Sequence, residues 1–150
     1  DAVGGYQESK FFEPGTDLTI AKTPFGNIGL MVCYDLRFPE LALSLRAQGA
    51  NILTAPAAFT YTTGEMHWQL LLQARAMDSQ CHVLGAAQQG WHSEKRQTWG
   101  YAGAADSRGQ LLDIIHEEGA GLITVPFDLA EQQLVRASMP LMQHRVLLQY

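Results

Sequence analysis

The sequence has 150 residues and is 47% hydrophobic, enough for one compact domain burying roughly 70% of the surface its unfolded chain would expose. Ten Lys and Arg against fifteen Asp and Glu leave a net charge of -5 with no basic run to follow a phosphate backbone, which argues against a nucleic-acid partner. Its longest apolar runs fall well short of the ~20 residues that span a bilayer, and neither Cys33 nor Cys81 sits in a Cys-x-x-Cys or Cys/His array, so no membrane span, zinc site or other cofactor is expected.

In chain order, the sequence opens on Asp1 and a Gly4-Gly5 turn, reading as a chain already under way. Residues 1–27 carry turn signals at Pro14-Gly15 and Pro24-Phe25-Gly26 and predict surface loop with short extended pieces. The apolar run 28–33 predicts a strand buried on both faces. Pro39 then suits a first helical turn, Leu41 and Leu45 share a helical face, and Gly49 stands at a C-cap position. A second buried strand at 52–56 leads through a long loop to Gly64, then to a helix over about 65–79 with Met66, Leu70, Ala74 and Met77 on its inward stripe. A strand at 82–87, a polar loop at 88–97, and two strands joined by the turn 106–109 follow. A last strand at 122–127 runs into a helix with Asp128 as N-cap and Glu131 in its first turn. Alternating strands and helices with a late hairpin predict an α/β layered fold.

Cys33 ends the first predicted strand and precedes Tyr34-Asp35-Leu36-Arg37-Phe38-Pro39-Glu40, so its thiol is expected to project from a sharp strand-to-helix corner. There the Tyr34 N–H can point at a developing oxyanion, and the helix start favours the thiolate. A thiol of pKa about 8.5 is only slightly ionised at neutral pH, so such a nucleophile also needs a base. A small core hydrophobe is the commoner role of a buried cysteine at a strand end. Cys81, between a helix and a strand, reads as a packed core thiol. Trp68, Met66 and Leu70 read as helix packing, with His67 near a loop bordering a pocket. Arg37 reads as an ion pair with Asp35 or Glu40, and Phe59 and Thr60 as pocket walls beyond a strand C-terminus.

The segment Val32-Cys33-Tyr34-Asp35-Leu36-Arg37-Phe38-Pro39-Glu40 resembles the cysteine motif of nitrilase-superfamily amidases. Pro56-Ala57-Ala58-Phe59, His67-Trp68, Ala74-Arg75-Ala76, Ala86-Ala87-Gln88, Glu94-Lys95-Arg96, Trp99-Gly100 and Gln143-His144-Arg145 resemble its later segments in the same order. The likeness covers essentially the whole chain and is strongest to the ω-amidase and deaminated-glutathione amidase branch, departing from it at Tyr101, where relatives commonly carry His. It implies the C-terminal part of an αββα sandwich, with the N-terminal part lying upstream, and a homo-oligomer acting on a small-molecule amide; the short apolar runs and the lack of a charged-then-apolar opening segment add the expectation of a cytoplasmic protein. It further implies Cys33 as nucleophile, the Tyr34 N–H in the oxyanion site, and a second family glutamate at Glu8 that positions substrate or lysine. The Glu and Lys of the family's catalytic triad map upstream of Asp1. Lys95 and Arg96 have two readings, as a solvated pair or as receivers of the substrate's remote carboxylate. The expected function is a thiol amidase; the alternatives are an N-carbamoyl amino acid or other amide hydrolase, and an inactive oligomerising fragment.

Overall fold

The structure, a computed structural model, describes residues 8–117 and 119–146, with Glu8 described in its backbone alone. A short 3-10 turn at Glu8–Lys10 precedes the antiparallel pair β1 (Ile20–Thr23) and β2 (Gly26–Leu30). Beyond β2 the chain makes a second 3-10 turn, Cys33–Arg37, and enters helix α1 (Pro39–Ala47), with Pro39 opening the helix and Gly49 leaving it at φ +98°. Strand β3 (Ile52–Thr54), helix α2 (Tyr61–Ser79) and strand β4 (His82–Gly85) complete a run of three parallel strands, β2-β3-β4. A separate hairpin, β5 (Gln89–Ser93) with β6 (Arg96–Trp99), interrupts the sheet before β7 (Gly103–Ala105) and β8 (Leu111–Ile114) extend it antiparallel. The sheet order is β1-β2-β3-β4-β7-β8, and helices α3 (Leu129–Ser138) and α4 (Leu141–His144) close the described chain.

Helices α1 and α2 cover one sheet face, and the core lies beneath them: Leu45 and Leu72 with Leu53 and Val83, flanked by Met31, Leu36 and Trp68. Close approach is possible because a glycine occupies the contact point. A Cβ at Gly85 would come within 2.6 Å of the Trp68 ring. Among the described residues the opposite face is covered at one end, by α3. Its Gln132 Nε2 donates to the Asn51 carbonyl at 2.8 Å, and Asn51 Nδ2 donates back to Gln132 Oε1 at 3.2 Å. Phe127 meets the His82 ring edge-on at 4.9 Å. Burial holds the His82 imidazole below its ordinary pKa, so the ring against Phe127 is neutral at pH 7.

The structure corrects several expectations. The first strand stops at Leu30, and it is not buried on both faces: Leu30 is 44% exposed, on the sheet face that α3 leaves uncovered. Helix α2 starts four residues before 65 and takes Gly64 into its interior, where the glycine meets the Trp99 side chain. Its inward face is Gly64, Trp68, Leu72, Arg75, Ala76 and Ser79, while Met66, Leu70 and Met77 are all more than half exposed. The inward set contains Gly, Arg and Ser, so a count of apolar residues selects the wrong stripe. The 88–97 segment is a hairpin whose sequence is polar because most of its side chains face water. The 122–127 segment is not paired as a strand, and Pro126 has no N–H for a ladder. It still alternates, with Ile123, Val125 and Phe127 half-buried and Leu122, Thr124 and Pro126 exposed.

Two turn expectations hold: Gly109, at φ +82°, completes the turn between β7 and β8, and Asp128 Oδ1 accepts from the N–H groups of Ala130 and Glu131 at the start of α3. Because a methyl at Gly64 would overlap Trp99, Gly64→Ala in the intact protein should lower stability by about 1–3 kcal/mol, read as a reduced urea midpoint at unchanged slope.

Candidate active site

Beyond their formal ends the three parallel strands keep their register. The Met31 N–H donates to the Thr54 carbonyl, the Cys33 N–H to the Pro56 carbonyl at 2.9 Å, and the Ala57 N–H to the Ala86 carbonyl. Cys33 is therefore still tied to its neighbour strand when the chain turns away, and its backbone takes φ +48°. A non-glycine residue held there costs roughly 1–3 kcal/mol and persists only where the surroundings over-determine it. The surroundings here are explicit. The Val32 N–H donates to Asp35 Oδ2 at 2.9 Å, the Asp35 N–H returns to the Val32 carbonyl at 3.0 Å, and Leu36 is fully buried beneath the turn.

Cys33 stands at the first position of this turn and Tyr34 at the second, among the amides that a helix start leaves without an internal acceptor. The thiol is half-buried, and among the described residues no side chain hydrogen-bonds to its sulfur. The C-terminal ends of β2, β3 and β4 therefore present a thiol and a free-standing turn amide side by side. That arrangement suits nucleophilic attack with stabilisation of an oxyanion.

Arg37 makes no ion pair among the described residues, contrary to expectation. Its guanidinium lies over the rings of Tyr34 and Phe59, at 5.4 and 5.0 Å from their centroids, and Nη1 meets Nδ1 of His67 at 3.2 Å. Phe59 is buried edge-on to Trp68, and the Trp68 Nε1–H donates to the Tyr101 carbonyl. Arg37 thus ties the turn after Cys33 to α2 through aromatic faces. The sequence contains the signal for Asp35, a carboxylate two residues into a turn, but none for the His67 contact, which joins residues thirty apart.

The other expected site residues separate into two groups. Phe59 and Thr60 lie beside the corner: the Phe59 carbonyl accepts from the Trp99 N–H, and Thr60 bridges Thr98. Lys95 and Arg96 stand at the exposed end of the β5–β6 hairpin, whose root is fixed by Trp99 stacked on Tyr101 and packed against Tyr61. The hairpin leaves from the same sheet end as Cys33, directly after β4. The Glu8 side chain lies outside the described residues.

Cys81 is fully buried at the opposite end of the sheet. Burial pushes its thiol pKa up, outweighing the Arg136 guanidinium and the Ser79 hydroxyl that act in the other direction. Both cysteines are free. Among the described residues no cluster of His, Cys, Asp and Glu could hold a metal ion, and no helix is long and apolar enough to cross a membrane.

The chain is similar to known proteins in both sequence and fold. The profile of the carbon-nitrogen hydrolase family matches residues 2–137. Over 144 residues the chain is 46% identical to the deaminated glutathione amidase of Yersinia enterocolitica, covering 96% of this chain and 50% of that protein. Among solved structures, Saccharomyces cerevisiae Nit3, a member of branch 10 of the nitrilase superfamily, superposes with a TM-score of 0.83 at 33% identity, over 92% of this chain and 51% of its own. A mutant of the amidase from Nesterenkonia sp. AN1, with the acetamide moiety of fluoroacetamide covalently added at its active-site cysteine, gives a TM-score of 0.65 at 26% identity, over 74% and 42%. The chain spans about half the length of the curated relatives it matches.

The two cysteines should differ in reactivity. Limited iodoacetamide treatment of the intact protein, followed by mass mapping, should modify Cys33 and leave Cys81 unmodified until denaturant is added, because Cys81 is both inaccessible and held in its thiol form. Preferential modification of Cys81 would reverse the assignment.

Proposed function

Because this chain belongs to the carbon-nitrogen hydrolase family, we propose that it carries the nucleophile of a thiol amidase acting on a small carboxylate-bearing amide, of the deaminated-glutathione or ω-amide type, with release of ammonia. The observation that carries this reading is the Cys33 corner, a cysteine held at positive φ where parallel strands end. The active-site cysteine of the Nesterenkonia amidase, and the relatives named for deaminated glutathione, support it.

In the proposed reaction, a glutamate takes the Cys33 proton and the thiolate attacks the amide carbon. The resulting oxyanion is held by the Tyr34 N–H and a lysine ammonium. Collapse breaks the C–N bond, and the protonated glutamate gives its proton to the departing nitrogen, so that ammonia leaves and a thioester remains. Water then attacks the thioester, losing a proton to the same glutamate, and the C–S bond breaks to free the carboxylic acid and regenerate Cys33.

Among the described residues nothing bonds to the Cys33 sulfur, so the base and the lysine of this scheme are assigned to sequence upstream of Asp1, and residues 1–150 to the C-terminal part of the sandwich. Glu8 is assigned to positioning the substrate or that lysine, Phe59 and Thr60 to the pocket wall, and Lys95 or Arg96 to the substrate's remote carboxylate. An N-carbamoyl amino acid would use the same nucleophile with a different acyl portion. The small-molecule chemistry and the two free thiols fit a cytoplasmic enzyme, and the exposed apolar stripe of α2 fits a homo-oligomer.

Two measurements test the reading. The 150-residue chain alone should release no appreciable ammonia from an ω-amide. Adding the matching N-terminal segment should raise the rate by several powers of ten, and Cys33→Ala should abolish it. Normal turnover by the chain alone would show that its own residues supply the base. In the full-length enzyme, Lys95→Ala or Arg96→Ala should raise KM about ten- to a hundredfold for amides with a distal carboxylate and leave neutral amides nearly unchanged, a charge-assisted contact being worth about 1.5–3 kcal/mol. Equal effects on both substrates would return the pair to ordinary surface charge.

A further inference from the structure

A concave site lies at the opposite end of the sheet from Cys33, where Ala50 and Cys81 lead into β3 and β4. Its cavity of about 250 Å³ is bounded by Arg46 from the last turn of α1, Gln80 from the end of α2, Arg136 from the last turn of α3, and Pro140, Met142 and Gln143 from α4 and its approach. Two guanidinium groups thus converge on one cavity, and among the described residues no carboxylate lines it.

The two arginines are held differently. Arg136 is fixed from behind: Nε donates to the Gln80 carbonyl at 3.0 Å, and Nη2 donates to the Ala50 carbonyl at 3.1 Å and lies 3.4 Å from the Cys81 sulfur. Gln80 is fixed in turn, its Nε2 donating to the Met139 carbonyl. Arg46 has no such anchor. Among the described residues its buried Nε makes no hydrogen bond, a state shared with Nε and Nη1 of Arg75 and one that folded proteins seldom keep without a reason. Helix-end carbonyls explain why a cation is favoured at the end of α1, yet no hydrogen bond joins them to Arg46. The Arg46 charge also works with burial to lower the affinity of Arg136 for its proton.

We propose that this cavity binds a doubly charged oxyanion, a phosphate or the phosphate end of a phosphomonoester, between Arg46 and Arg136. A dianion balances both guanidinium charges at once, which a single carboxylate does not, and guanidinium groups offer paired donors to phosphate oxygens. The cavity exceeds the volume of a bare phosphate, leaving room for an organic group over Pro140 and Met142.

The test is isothermal titration of the full-length protein at low ionic strength with inorganic phosphate and, separately, with glycerol phosphate. One saturable site is expected, weakened at least tenfold in Arg46→Gln and abolished in Met142→Glu, which puts a carboxylate into the cavity; a melting curve verifies that each variant is folded. Tighter binding of glycerol phosphate assigns the ester as ligand, and equal binding assigns the free ion. Absence of saturable binding overturns the proposal. So does binding unchanged in both cavity variants and lost in Lys95→Ala, which would move the anion to the hairpin.

Discussion

The hydrogen bond from the Cys33 N–H to the Pro56 carbonyl is the constraint on which the candidate site rests. It carries the pairing of β2 with β3 past the last strand residue, so the chain must reverse within one residue instead of drifting away. Cys33 absorbs that reversal at positive φ, and the strain is contained by Asp35 below and by buried Leu36. With the backbone fixed in this way, the thiol and the Tyr34 amide have few alternative orientations. Preorganisation of this kind is what an oxyanion site requires, because donors that must first reorient lose much of their effect on the barrier.

The two cysteines show how the two ends of one sheet divide their tasks. Cys33 lies where parallel strands finish and helices begin, and is half-buried. Cys81 lies where strands begin, buried under Arg136 and Ser79, with its thiol form favoured by burial. The polar groups at that second end serve mainly to hold α3: Asn51 and Gln132 exchange hydrogen bonds, and Arg136 gathers carbonyls from the approaches to β3 and β4. Among the described residues of this set, Arg46 stands apart in that its buried Nε meets no acceptor.

Two of the exposed apolar surfaces among the described residues stand out. One is the sheet face carrying Leu30 and Leu84, which α3 covers only at the far end. In an αββα sandwich a second sheet lies on such a face, and the inner residues of the two sheets form the central layer. The other is the outward stripe of α2, with Met66, Leu70 and Met77. Contiguous exposed apolar residues of this kind are usual at association surfaces and scarce elsewhere.

The sequence by itself determined much of this protein. Period and punctuation located the helix opened by Pro39 and closed by Gly49, the Asp128 cap, the Gly109 turn and, to within a few residues, the three strands that the fold pairs in parallel, because each depends on neighbours a few residues away. The motif around Cys33 marked it as a candidate nucleophile only through its family resemblance, since the residues alone left a packed core thiol as the commoner reading. Tertiary structure decided which face of α2 turns inward, since Gly64 and Arg75 are buried by partners remote in sequence. It also made a hairpin of a polar stretch that has no hydrophobic alternation, and left 122–127 extended without a strand partner. Arg37 went to His67 and two aromatic faces instead of a neighbouring carboxylate for the same reason. Each of these outcomes turns on a contact between segments that only the folded chain brings together, and no spacing within a single segment encodes it.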